Sequence, residues 1–169
     1  VTREEQSELL EYWLAGLRCG ALTADGISAE LDGIILTAGA DLPNAILDAA
    51  LAATKGETPL AAVLRESLLD LGVGWVDGAP ISMDIYWALR RKLRAQWQSG
   101  ETTMERAIVR MSLLTRQCGL GRPKTDDTLW EWAHFEDYYG LMLEGVYAPE
   151  RVAEEFVRLM HEEEPCRLS

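Results

Sequence analysis

Apolar side chains return at helical intervals along almost the whole chain. Leu9, Leu10, Trp13, Leu14 and Leu17 follow the i, i+3, i+4, i+7, i+8 spacing of one buried stripe. Ile85, Leu89 and Leu93 repeat it, then Ile108, Met111 and Leu114, then Val152, Phe156, Leu159 and Met160. The pattern predicts helices over about 3–18, 24–39, 43–54, 59–72, 82–98, 104–118, 126–143 and 149–163. Start signals agree with these spans: Thr2 precedes Glu5 as a capping box, Thr58-Pro59 sets an N-cap before a first-turn proline, and Thr125 precedes two aspartates. No βαβ alternation is visible. The fold expected is all-α, a single-domain bundle of about 7–8 helices in antiparallel pairs over residues 1–169. The stretch "GVGWVDGAPI", 72–81, has no helical period and predicts a long loop or short hairpin, and with it a subdivision into 1–72 and 80–164. Trp13, Leu17, Leu89, Leu93, Ile108, Met111 and Phe156 are the expected core.

One turn pattern occurs three times. "CGALTAD", "SGETTME" and "EGVYAPE" each set a glycine (Gly20, Gly100, Gly145) three residues before Thr, Thr or Ala, with an acid two residues further on. Each glycine can end a helix in the left-handed conformation, and Thr23 and Thr103 can cap the next one, with Asp25, Glu105 and Glu150 near its positive end. Generic turn chemistry and a duplication in which 13–36 echoes 93–116 both account for the repeat. Three tight antiparallel helix pairs follow from either. None of these turns has the lysine and glycine spacing of a phosphate-binding loop.

Composition narrows the class. A chain of 169 residues with 48% hydrophobic content can bury a real core. No apolar run approaches the ~18 residues of a membrane-spanning helix, and the acidic, amphipathic start "VTREEQSELLEYW" is not a signal peptide. Cys19, Cys118 and Cys166 are odd in number, widely spaced and without a zinc pattern, as in a reducing compartment. Arginine-over-lysine usage and abundant alanine fit a GC-rich bacterial genome, so a cytoplasmic bacterial protein is expected. The last four residues, from Cys166, formally fit a prenylation box, but the acidic "EEEP" before them would be repelled by anionic lipid; a frayed tail is the expectation.

Net charge is −12 and unevenly spread. Residues 1–79 carry 13 acids and 4 bases, residues 80–124 carry 3 and 9, and residues 125–169 carry 12 and 3. An exposed acidic field attracts a basic partner and disfavours a phosphate backbone, so no nucleic acid is expected. The bland alternative is a basic middle packed between acidic ends.

The stretch "WEWAHFEDYYG", 130–140, concentrates five aromatic rings, three carboxylates and one of the two histidines. Glu131 and His134 have Glu-x-x-His spacing, but a di-iron site needs a second such pair, and His161 has Arg158 in the corresponding place. His134 therefore reads as a packed or hydrogen-bonded structural residue, and no metal or cofactor is expected. No hydrolase or cysteine–histidine nucleophile signature is present. On a helix, Trp130, Ala133 and Tyr138 lie roughly along one stripe, and Trp132, Phe135 and Tyr139 along another. At least half of these rings are expected in the core; the rest, framed by acids, have the composition of a protein-binding surface.

The run "FEDYYGLMLEGVYAPE", 135–150, resembles the closing segment of small acidic helical immunity proteins of bacterial polymorphic-toxin and contact-dependent inhibition systems. Asp137, Tyr138, Leu141, Gly145 and Tyr147 are the matching positions; Glu136 stands where an aspartate is usual. "WLAGLRCGALTADGISAELDGIIL" followed by "LPNAILDAAL" is similar to the first half of the same group. The resemblance implies an all-helical binding protein that neutralises a cognate toxin, nuclease-like and basic, by occluding it. The partner-binding residues expected are Glu131, Glu136, Asp137, Tyr138, Tyr139 and Glu144. A nucleic-acid-mimic inhibitor, with carboxylates at phosphate-like intervals, and a helical enzyme with a carboxylate site in a deep pocket are the competing readings.

Overall fold

A computed structural model describes residues 2–38, 42–73, 80–119 and 127–163. Among them are eight α-helices and no strand: α1 (Arg3–Cys19), α2 (Ala24–Ala38), α3 (Asn44–Ala53), α4 (Glu57–Asp70), α5 (Met83–Gln98), α6 (Met104–Arg116), α7 (Asp127–Leu143) and α8 (Pro149–His161). The all-α architecture is the one the periodicity predicts. The chain groups into two compact units, Val1–Ile81 and Ser82–Ser169. The grouping changes at the end of the 72–81 stretch, of which residues 74–79 lie outside the described part, as do Thr125 and the Cys166 tail.

In the first unit α1 packs on α4, α4 on α3 and α3 on α2. Leu10, Trp13, Leu14, Ile27, Leu31, Leu60 and Leu64 are buried at its centre, with Ala15, Ala49, Ala52 and Ala53 filling the close approaches. The capping box forms as predicted: Thr2 Oγ1 accepts from the Glu5 amide, and Glu5 Oε2 accepts from the Thr2 amide. Arg3 Nη2 donates to the Leu71 carbonyl (2.6 Å), tying the start of α1 to the end of α4. The indole of Trp13 is fully buried, and its Nε1–H donates to Glu30 Oε2 at 2.9 Å, so the ring's polar edge is satisfied. At Gly16 the Leu22 side chain fills the space a side chain would occupy; an added Cβ would lie 2.3 Å from Leu22 Cδ1.

In the second unit each helix packs on the next, α5 on α6, α6 on α7 and α7 on α8. Its core is built on rings. Phe156 of α8 meets Trp97 edge-on at 5.0 Å and Trp132 at 6.0 Å between ring centroids. Leu89, Leu93, Ile108, Met111 and Leu114 of the same unit are all essentially inaccessible to solvent. Such burial stabilises by about 1.5–3 kcal/mol per large side chain before the entropy of ordering is subtracted.

All three predicted glycine turns are left-handed, with φ of 72° at Gly20 and 78° at both Gly100 and Gly145. The Thr23 and Thr103 hydroxyls accept from the Gly26 and Arg106 amides as caps. The first turn does not make the tight pair expected, because α1 finds its main neighbour in α4 rather than α2. Two further expectations are corrected. Leu17 is only half-buried, since Ala15, Gly16 and Cys19 take the inward positions at that end of α1. The fourth helix begins at Glu57 behind Gly56 (φ 105°), not behind Thr58. Pro59 thus sits within the first turn, where its missing N–H would have no intrahelical partner anyway.

Candidate functional site

The aromatic–acidic stretch lies on α7, between α6 on one side and α8 on the other. Helical spacing divides its rings sharply. Trp132 and Phe135 face inward and are buried, Tyr138 and Tyr139 are half-buried, and Trp130 is 63% exposed. The buried pair is held by Phe156 across the helix boundary, Phe135 lying 6.3 Å from that ring. Tyr138 leans on Tyr147 of the α7–α8 turn, with centroids 4.5 Å apart.

Along the α7–α8 junction runs a groove of about 530 Å³. Trp130, His134 and Tyr138, one helical turn apart in succession, form its α7 wall. Arg151, Glu154, Glu155 and Leu159 form the α8 wall. Trp130 and His134 stack at 4.2 Å with planes 30° apart, and His134 Nδ1 lies 2.9 Å from the Trp130 carbonyl oxygen. His134 is thus a hydrogen-bonded ring on an exposed face rather than a packed one. Among the described residues no group of three or more His, Cys, Asp or Glu side chains converges as a metal site.

The six residues expected to bind a partner are spread around the helix. Glu131 and Tyr138 line the groove. Glu136 points the other way, accepting from Ser112 Oγ and from Arg116 Nη2 of α6, each at 3.0 Å. Tyr139 is half-buried, whereas Asp137 and Glu144 are exposed. By helical spacing Trp130, Asp137, Leu141 and Glu144 share one outward ridge beside the groove.

Two of the carboxylates are therefore neutralised within the fold. Arg158 of α8 donates to Glu131 at 2.8 Å and to Glu155 at 2.7 Å, bridging α7 and α8. Hydrogen bonds from Arg158 hold the Glu155 carboxyl below its ordinary value. The same two partners hold the guanidinium still more firmly in its charged form. Sequence reasoning missed Arg158 as a partner of Glu131 because the two are 27 residues apart. The Trp130–His134 stack went unread as well, although their i, i+4 spacing was the signal that could have found it. Among the described residues no helix is long and apolar enough to cross a membrane.

Compared with protein-family models, with curated proteins and with solved structures, the chain matches none.

Proposed function

We propose that the chain is an immunity-type binding protein of a bacterial toxin–antitoxin pair, acting in the cytoplasm, which neutralises a cognate basic toxin by covering its working surface. The observation that carries this reading is Trp130, a large ring left 63% exposed at the edge of a groove and continuous with the exposed acids Asp137 and Glu144. Exposed indole framed by carboxylate is the composition of an interface anchor with a charged rim. The acids on the ridge steer a basic partner toward it, and the ring makes the short-range contact that slows dissociation. Glu131 and Glu136 contribute less field than their number suggests, since arginines already face them. Net charge of −12 gives the steering its sign, and screening within ~8 Å at physiological salt makes it sensitive to ionic strength.

The test is affinity purification from the native host with the parent protein and with Trp130→Ala plus Asp137→Lys. A basic protein retained by the parent, lost by the variant, and toxic when expressed without the parent is the expected outcome. A partner retained equally by both, or one that is acidic or harmless, would sink the reading.

A further inference from the structure

The second unit holds a pocket of opposite character, away from the α7–α8 groove. Arg90 of α5 is 2% exposed, and its guanidinium carbon lies 4.5 Å over the Trp87 ring. One nitrogen, Nη2, donates to the Leu159 carbonyl near the end of α8 and lies 3.4 Å from Glu162 Oε2. The other two, Nε and Nη1, are buried and have no hydrogen-bond partner among the described residues. An arginine whose only duty were to cap α8 would need Nη2 alone; burying the remaining donors unpaired is costly. Arg90 lines a pocket of about 260 Å³ together with Arg91 and Arg94, with Met160 as an apolar wall. Glu162 and Glu163 stand at the same pocket.

We propose that this pocket binds an oxyanion, the phosphate or carboxylate of a small molecule, and that Glu162 holds that anion's place in the free protein. A planar guanidinium fixed against an indole is pre-organised for a forked contact with two oxygens, which a carboxylate 3.4 Å from one nitrogen does not provide. Glu162 lies just past the last turn of α8 with its side chain 34% exposed, whereas Arg90 is enclosed. Arg94, one turn from Arg90, adds a second cation to the incoming anion. The pocket is larger than a bare phosphate, and Trp87 and Met160 give its organic remainder an apolar surface. This site uses α5 and α8 and does not depend on the toxin-binding reading.

The experiment follows the Arg90 Nε–Hε resonance while the full chain is titrated with inorganic phosphate or with succinate, against sodium chloride of equal ionic strength. Saturable movement of that resonance with phosphate, succinate or both is expected, and the stronger arm identifies the anion class. Arg94→Gln should weaken binding about tenfold, as the loss of one charged hydrogen-bond partner implies. Glu162→Gln, which removes the internal competitor and leaves Arg90 in place, should tighten it several-fold. No saturable movement up to millimolar concentrations in either arm, or equal affinity in parent and both variants, would overturn the proposal.

Discussion

The four helices of the first unit close on aliphatic and alanine side chains around the buried ring of Trp13, whereas those of the second bury Tyr86, Trp87, Trp132, Phe135 and Phe156 among their aliphatic side chains. Ala15, Ala49, Ala52 and Ala53 are buried where α1 to α4 approach one another, and Gly16 lets Leu22 lie against bare backbone. In the second unit Phe156 of α8 meets Trp97 of α5 and Phe135 of α7, and Trp132 lies beside Phe135. Small side chains give closeness without directional contacts; rings give area and edges but fill a helix–helix seam less evenly. Both units carry a groove of comparable size, about 430 Å³ between α3 and α4 and 530 Å³ between α7 and α8. Among the described residues the first is lined by Asp48, Lys55, Glu66 and Asp70 with no aromatic ring, the second by Trp130, His134 and Tyr138. A cavity is a feature of either kind of packing. What distinguishes the second is a surplus of rings beyond those the core can bury, and that surplus is the argument for recognition there.

The largest effect should come from breaking the ring core. Phe156→Ala removes contacts with three rings and should destabilise by about 3–5 kcal/mol in urea unfolding. Phe156→Leu sharpens the point, since it keeps an apolar side chain and loses the edge-to-face geometry, worth about 0.5–1.5 kcal/mol beyond area. Indistinguishable midpoints for the two would mean that the rings act only as bulk.

The matching change in the first unit enlarges rather than empties. Gly16→Ala places a methyl 2.3 Å from Leu22 Cδ1 and should cost about 1–3 kcal/mol, read from the same denaturation midpoint. A helical glycine replaced by alanine without strain would instead stabilise, so the sign of the change decides whether the contact is as tight as the structure has it.

The smallest effect belongs to the Arg158 bridge. Because the Glu155 carboxyl is held below its ordinary 4.5, its contribution to stability is complete above that value and is lost as pH falls through the lowered one. The side chain is 39% exposed, so the pH dependence should be shallow and weaker in salt. Arg158→Ala should flatten the acid limb of the stability curve below about pH 4.5 while leaving the neutral plateau within about 1 kcal/mol. An unchanged acid limb would place the ion pairs outside the energetics of the α7–α8 contact.

How far the chain can be read without coordinates depends on whether a signal is local. The stripe Leu89–Leu93, the capping box at Thr2 and the left-handed Gly100 are each determined within about one turn of helix, and each is where the pattern puts it. Leu17 fails because a helix end has its burial decided by what packs there, in this case Leu22 against Gly16. The candidate site was legible as an aromatic and acidic concentration, but not in its charge pattern. Glu136 meets Arg116 from 20 residues before it and Glu131 meets Arg158 from 27 residues after it, and no periodicity records such pairings. Arg90 was hidden for a related reason. In "RRKLR" it reads as one member of a basic face, yet it follows Leu89 on the buried side of α5 and is the one arginine of that run withdrawn from solvent.

The contact of α1 with α4 carries a consequence for the order of events during synthesis. Residues of α4 leave the ribosome well after those of α1, and between Cys19 and Asp70 elongation takes roughly 3–10 s at ordinary rates. For that interval the stripe of Leu10, Trp13 and Leu14 has been made but lacks the helix that covers it. A nascent chain at this stage presents an amphipathic helix with a bare indole, a form suited to capture by a holding chaperone and to pairing with a second nascent chain. In the second unit α5 meets α6 as soon as that helix is made, although Trp97 still waits for Phe156 of α8.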